Sequence, residues 1–241
     1  MLHISRFIIQ TVDSDSSKLE QKLGIKFKNI DFLKEALTHR SYINENPSWK
    51  LPHNERLEFL GDAVLELAVT EYLFNHFPKE PEGQLTSLRA ALVNYQAIAG
   101  VARHINLEDF ILMSRGEAKD IGRAREVILA NAMEALIGAV YLDGGYLKVK
   151  KIIENLIINV HLDEIIKNGL YKDPKSQLQE IVQEKLKLTP LYQMIEEWGP
   201  DHKKVFKMGV YFKDKLVAEG EGYSKQEAEV EAAKNALKGL V

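Results

Sequence analysis

Sixteen consecutive residues, Val127–Leu142 (VILANAMEALIGAVYL), contain two strongly polar side chains, Asn131 and Glu134. They lie three positions apart, so a helix places them on one face. The rest of that helix is apolar all round, and a helix of this kind has to be enclosed by other elements. An ionised carboxylate taken into such surroundings alone costs several kcal/mol or more, so Glu134 calls for a charged partner or a metal ion.

A second stretch answers it. In His53–Phe74 (HNERLEFLGDAVLELAVTEYLF), Asn54 is placed to cap a helix, and Glu55, Glu58 and Asp62 follow at i, i+3 and i+7 on one stripe. Leu57, Phe59, Leu60, Ala63, Val64 and Leu65 flank them, so the stripe is not an ordinary solvated face. Like charges at this spacing repel and call for something positive. Two helices that each offer inward oxygen donors suit a hard cation; Mg²⁺ prefers octahedral oxygen ligands, keeps several waters and needs only one or two carboxylates.

Taken singly, each acid has a plainer explanation. Glu55 complements the helix dipole as a first-turn carboxylate. Glu58 and Asp62 have Arg56 and Arg89 as candidate ion-pair partners, and Glu134 is a candidate buried salt bridge. Two sparse polar pairs on two apolar helices together favour the metal site. A di-iron carboxylate bundle is the obvious competitor, but it pairs Glu with His three residues on. Neither Glu55/Glu58 nor Asn131/Glu134 supplies a histidine.

Composition narrows the rest. The chain has 241 residues, 45% hydrophobic and 28% charged, enough for one large domain and one small one. It has no cysteine, which excludes disulfides and cysteine-held zinc or iron–sulfur centres, and its seven histidines form no HExxH pair. The apolar run Ile4–Ile9 is broken by Ser5 and Arg6 and is too short for a signal-peptide core. No segment reaches the roughly 18 apolar residues of a membrane span. The expectation is a soluble, cytoplasmic protein with no membrane partner. Net charge is −3, and the 11 lysines from Pro174 onward are matched by 11 acids, so any face offered to a nucleic acid has to be arranged locally.

Helical periodicity covers Asp31–Thr38, Asn54–Phe77, Gly83–His104, Arg125–Leu142 and Leu147–Val160, with breakers at Asn46-Pro47, Pro52, Pro78, Pro81 and Gly144-Gly145. This predicts an all-α domain over residues 20–162. Residues 163–173 are polar, contain Gly169 and end before Pro174, as a linker would. From 174 to 241 the pattern changes. Pro174–Leu186 reads as a helix with Pro in its first turn. Alternation from Leu191, over Val205–Phe212 and over Lys215–Glu221 reads as three strands, and Ser224 caps a last helix. The order α-β-β-β-α predicts a small α+β domain.

NERLEFLGDAVLEL (Asn54–Leu67) closely resembles the signature of the bacterial ribonuclease III family. ALTHRSY (Ala36–Tyr42), EGQLTSLRAALVN (Glu82–Asn94) and GRAREVILANAMEALIGAVYLDGG (Gly122–Gly145) are similar to its other helical segments. The C-terminal segment is similar to a double-stranded-RNA-binding domain. The resemblance implies an all-α endonuclease domain, a Mg²⁺-dependent homodimer with Mn²⁺ as a substitute, and no organic cofactor. It implies hydrolysis of duplex RNA to 5′-phosphate and 3′-hydroxyl ends, in processing of ribosomal and other RNAs. Metal ligands fall on Glu58, Asp62, Asn131 and Glu134, with Asp62 and Glu134 catalytic. Asn131 stands where the family usually has aspartate, and it keeps an oxygen ligand but loses the charge. A cleavage-impaired duplex-RNA binder is therefore the alternative reading.

The same resemblance assigns Glu55 to a peripheral position and Glu82 to one nearer the RNA cleft; Arg123 and Arg125 precede the second helix, placed either to hold a phosphate or as an exposed loop pair. In the C-terminal domain, Ser176, Gln179 and Glu180 match minor-groove positions. GPDHKKVF (Gly199–Phe206) resembles the loop that brings His202, Lys203 and Lys204 to RNA. SKQEAE (Ser224–Glu229) resembles the start of the last helix, where Lys225 is retained while Gln226 and Glu229 replace lysines common in such domains.

Overall fold

The structure, a computed structural model, describes residues 16–119, 121–200 and 203–240. The run Ile4–Ile9 and His202 lie outside the described residues. The chain divides into two compact units between Tyr171 and Lys172.

The first unit is helical: α1 (residues 16–23), α2 (Ile30–Ala36), α3 (Arg40–Glu45), α4 (Glu55–His76), α5 (Glu82–Val93), α6 (Tyr95–His104), α7 (Arg123–Gly144), α8 (Tyr146–Ile153) and α9 (Asn159–Lys167). Helix α7 is its axis. Twelve of its residues are buried, and α2, α4, α6 and α8 all pack on it. It is long and apolar enough to cross a membrane, yet here it is the enclosed core helix.

Helices α4 and α7 pack most extensively, because two glycines let their backbones touch. A Cβ built on Gly61 of α4 would stand 1.8 Å from the Glu134 carbonyl oxygen of α7. One built on Gly138 of α7 would stand 2.3 Å from the Leu57 carbonyl oxygen of α4. The helices therefore run in opposite senses, with Gly61 at Glu134 and Gly138 at Leu57. The far end of α7 is pinned by Asp143, 9% exposed, which accepts the backbone N–H groups of Lys28 (2.9 Å) and Asn29 (2.8 Å). Those two hydrogen bonds, with Lys148 and Lys28 nearby, outweigh burial and hold its pKa below the ordinary value.

Three local expectations are corrected. Asn54 sits at the start of α4 but makes no side-chain cap; it is buried, and its N–H donates to the Thr38 carbonyl at 2.9 Å. The continuous helix expected over Gly83–His104 breaks at Asn94, whose extended backbone (ψ 156°) separates α5 from α6 and whose side chain accepts from the Ala97 N–H at 3.0 Å. The stretch 163–173, expected as linker, is helical as far as Lys167, because Leu162 and Ile165 turn a buried stripe onto the core. A π turn, Glu154–Ile158, joins α8 to α9.

The second unit runs α10 (Pro174–Leu186), β1 (Leu191–Trp198), β2 (Val205–Phe212), β3 (Lys215–Gly222) and α11 (Lys225–Lys238). The strands pair antiparallel in the order β1-β2-β3. One sheet face meets both helices around Leu178, Val182, Val210, Ala232, Ala233 and Ala236. Asp173 caps α10 by accepting from the Ser176 N–H, and Ser224 caps α11 by accepting from the Glu227 N–H.

Gly61→Ala should force α4 and α7 apart and lower stability by about 2–4 kcal/mol. Denaturant unfolding measures this. A loss below about 0.5 kcal/mol, the scale of a surface substitution, would contradict backbone contact at this crossing.

Candidate active site

Glu58 and Asp62 lie one turn apart on α4, on either side of Gly61 in sequence. Asn131 and Glu134 lie one turn apart on α7, and the Gly61 contact falls on the Glu134 backbone itself. The close crossing thus sets the two pairs of oxygen donors against one another. Their electrostatics record it. Burial pushes the Glu134 pKa up to about 7, with Asp62 and then Glu58 adding repulsion. Burial likewise raises Glu58, and so do the charges of Glu55 and Asp62, while a hydrogen bond from Asn131 draws it partly back.

Among the described residues, no arginine or lysine forms an ion pair with Glu58, Asp62 or Glu134. The arginines that sequence offered are not partners: Arg89 donates to the Thr70 hydroxyl at 3.0 Å instead. Among the described residues, no three Asp, Glu, His or Cys side chains are drawn together into a ready-made metal cage. Three carboxylates that repel one another do not close up unaided. The donor set is all oxygen, three carboxylates and one amide, which fits a hard cation that keeps part of its water shell.

Glu55 is exposed in the first turn of α4, 3.6 Å from Arg40 and 3.8 Å from His53; its charge reaches Glu58. Glu82 opens α5 and accepts from the Thr86 hydroxyl at 3.1 Å; it is not among the charges that act on Glu58 or Glu134. Arg123 is exposed beside the Tyr95 ring. Arg125 departs from expectation: its side chain, 20% exposed, turns to Glu108 at 3.9 Å and donates to Met113 Sδ. A cation held inside its own fold is poorly placed for phosphate.

In the C-terminal unit, Ser176, Gln179 and Glu180 are exposed on one stripe of α10, with the Ser176 hydroxyl donating to Asp173 at 2.8 Å. Lys203 is exposed between β1 and β2, Lys204 pairs with Glu197 at 2.9 Å, and Lys225 is exposed at the first position of α11.

Sequence reasoning missed Gly61 and Gly138. A glycine inside a helix costs about 1 kcal/mol relative to alanine, so one in the middle of each long apolar helix was the available signal of close approach.

Comparison with known proteins identifies the family. Residues 29–161 match the family model described as ribonuclease-III-like, and residues 174–240 match the double-stranded RNA binding motif. The chain is 43% identical over 227 residues to Ribonuclease 3 of Borreliella burgdorferi, covering 94% of this chain and 92% of that protein. It is 46% identical over 224 residues to Ribonuclease 3 of Campylobacter fetus, covering 93% and 97%. Among solved structures, the nuclease domain of ribonuclease III from Campylobacter jejuni matches with a TM-score of 0.54 at 49% identity, covering 59% of this chain and 95% of that one. The chain belongs to the ribonuclease III family.

Proposed function

We propose that the protein is an endoribonuclease that hydrolyses phosphodiester bonds in double-stranded RNA, leaving 5′-phosphate and 3′-hydroxyl ends. It acts as a Mg²⁺-dependent homodimer in the cytoplasm, on ribosomal and other RNA precursors. The observation that carries this reading is the set of oxygen donors on α4 and α7: Glu58 and Glu134 half-buried and desolvated, Asp62 exposed at their edge, and no cationic side chain paired with any of the three among the described residues. Glu58, Asp62, the Asn131 carbonyl oxygen and Glu134 would hold the metal. A bound Mg²⁺ supplies an activated water and stabilises charge that develops on the leaving oxygen. Asn131 gives the site three carboxylates instead of four, which weakens its grip on the ion without removing a ligand. The exposed Ser176, Gln179 and Glu180 stripe suits the wide minor groove of A-form RNA, where 2′-hydroxyls are the groups to be read.

The second reading, a duplex-RNA binder that does not cleave, rests on Asn131 alone. Similarity to Ribonuclease 3 proteins over nearly the whole chain supports cleavage.

The homodimer is supported by one surface. Phe59 on α4 is 82% exposed and borders a cleft of about 660 Å³ lined by Phe32, Leu57, Leu60 and Leu142, with Glu35, His53, Glu55 and Arg56 also on its wall. A bare aromatic beside a largely apolar cleft suits a two-fold interface in which each Phe59 would enter the partner's cleft. The similar Campylobacter jejuni domain is described as having a region involved in dimer formation.

A cleavage assay on duplex RNA over a Mg²⁺ series tests the proposal. Cleavage should vanish in EDTA and fall on the order of 100-fold or more in Glu134→Ala. Asn131→Asp should lower the Mg²⁺ needed for half-maximal rate by about tenfold. An intact duplex at every Mg²⁺ concentration sinks the proposal.

The raised Glu134 pKa gives a second prediction, for the metal-free protein. A carboxyl that the fold prefers protonated contributes stability fully below about pH 4.5 and loses it as pH rises through about 7. Glu134→Gln stays neutral, so at pH 8 in EDTA it should be more stable by about 1–2 kcal/mol after allowance for solvent screening. Thermal unfolding at pH 5 and pH 8 measures the difference, which should be smaller at pH 5. For the dimer, Phe59→Glu should sediment as a monomer with helix content unchanged; a mass equal to wild type would refute this interface.

A further inference from the structure

One tight ion pair ties the first helix of the C-terminal unit to its last. Lys175 Nζ lies 2.6 Å from Glu229 Oε2, with the two side chains 35% and 24% exposed. Lys175 precedes Ser176 in the first turn of α10, and Glu229 follows Lys225 by one turn of α11. Lys175 also stands over the Tyr192 ring of β1, 4.8 Å from its centre. The Tyr192 hydroxyl is buried with no hydrogen-bond partner. Its burial, with Glu229 and Asp173 nearby, pushes the Tyr192 pKa up to about 12, so the ring stays neutral and fit to receive a cation. Three elements thus meet at one half-buried clasp.

The charge of this clasp runs against simple expectation. Helix α11 opens with Lys225, and a glutamate one turn later on a helix that approaches phosphates should weaken binding. Lys175 neutralises it at contact distance, from the helix that carries the other RNA-facing residues. We propose that the Lys175–Glu229 pair is a positioning device for duplex-RNA recognition. It fixes the separation between the Ser176, Gln179 and Glu180 stripe on α10 and Lys225 on α11, so that both meet a single duplex in register. Neither member of the pair need touch RNA. This inference rests on duplex-RNA binding by the C-terminal unit.

The test is equilibrium binding of the full chain to a fluorescent, perfectly paired RNA duplex of about 20 base pairs, in EDTA to prevent cleavage. Glu229→Lys adds a positive charge to α11, and plain attraction predicts tighter binding. The clasp predicts the opposite: about five- to tenfold weaker binding for Glu229→Lys and for Lys175→Glu, with recovery to within about twofold in the double exchange. The dependence of Kd on salt should keep its slope in every variant, because no phosphate contact is gained or lost. Equal or tighter binding by Glu229→Lys overturns the proposal. So does a double exchange as weak as Lys175→Glu with a shallower salt slope, which would make Lys175 a phosphate contact. Glu229→Gln removes the pair without reversing charge; if the reversals melt early, weaker binding by this variant at a native melting temperature carries the proposal, and native affinity overturns it. A wild-type chain that ignores duplex RNA refutes RNA binding itself, a result distinct from any of these.

Discussion

The site depends on two helix backbones lying against each other. Gly61 and Gly138 remove the side chains that would hold α4 and α7 at ordinary packing distance, so Glu134 enters the neighbourhood of Glu58 and Asp62 by its own main chain. A glycine costs a helix conformational entropy in the unfolded state, and here that loss is set against van der Waals contact along the longest shared face of the fold. The backbone contact fixes where the donor-bearing turns of the two helices lie, and leaves the carboxylate side chains themselves to be ordered.

The electrostatic burden falls on the same place. Desolvation and mutual repulsion raise both Glu58 and Glu134, while Asp143, at the other end of α7, is stabilised in its charged form by two backbone N–H groups. The contrast is instructive. Asp143 has its hydrogen bonds supplied by the fold and acts as a structural pin. Glu58 has one hydrogen bond, from Asn131, which does not offset its burial, and Glu134 is raised by burial and by two neighbouring carboxylates, which is the condition under which a carboxylate seeks a proton or a cation.

Much of this was legible beforehand, for definable reasons. Carboxylates at helical spacing among apolar residues announce themselves, since neither the solvated surface nor the core explains them. The three strands of the C-terminal unit and the caps at Asp173 and Ser224 follow from local chemistry. The break at Asn94 did not show, because the apolar period runs unbroken through Gly83–His104 and a single asparagine decides the matter through its own backbone. Helix α9 was hidden under a polar composition whose two buried residues, Leu162 and Ile165, make a narrow stripe. The inward turn of Arg125 could not be read at all: its partner Glu108 is remote in sequence, and nothing in a one-dimensional pattern says which way a side chain leaves a helix start.

The pairing of lysines in the C-terminal unit has a kinetic consequence. Lys175, Lys204, Lys207 and Lys234 each face a glutamate within 3.3 Å, so their fields cancel over a few ångströms. Those four pairs cast little potential into solvent, so attraction of a polyanion from afar is left to exposed lysines such as Lys203 and Lys225. Charge neutralised within the fold in this way would favour a partner whose groove fits at contact over one that merely carries phosphates.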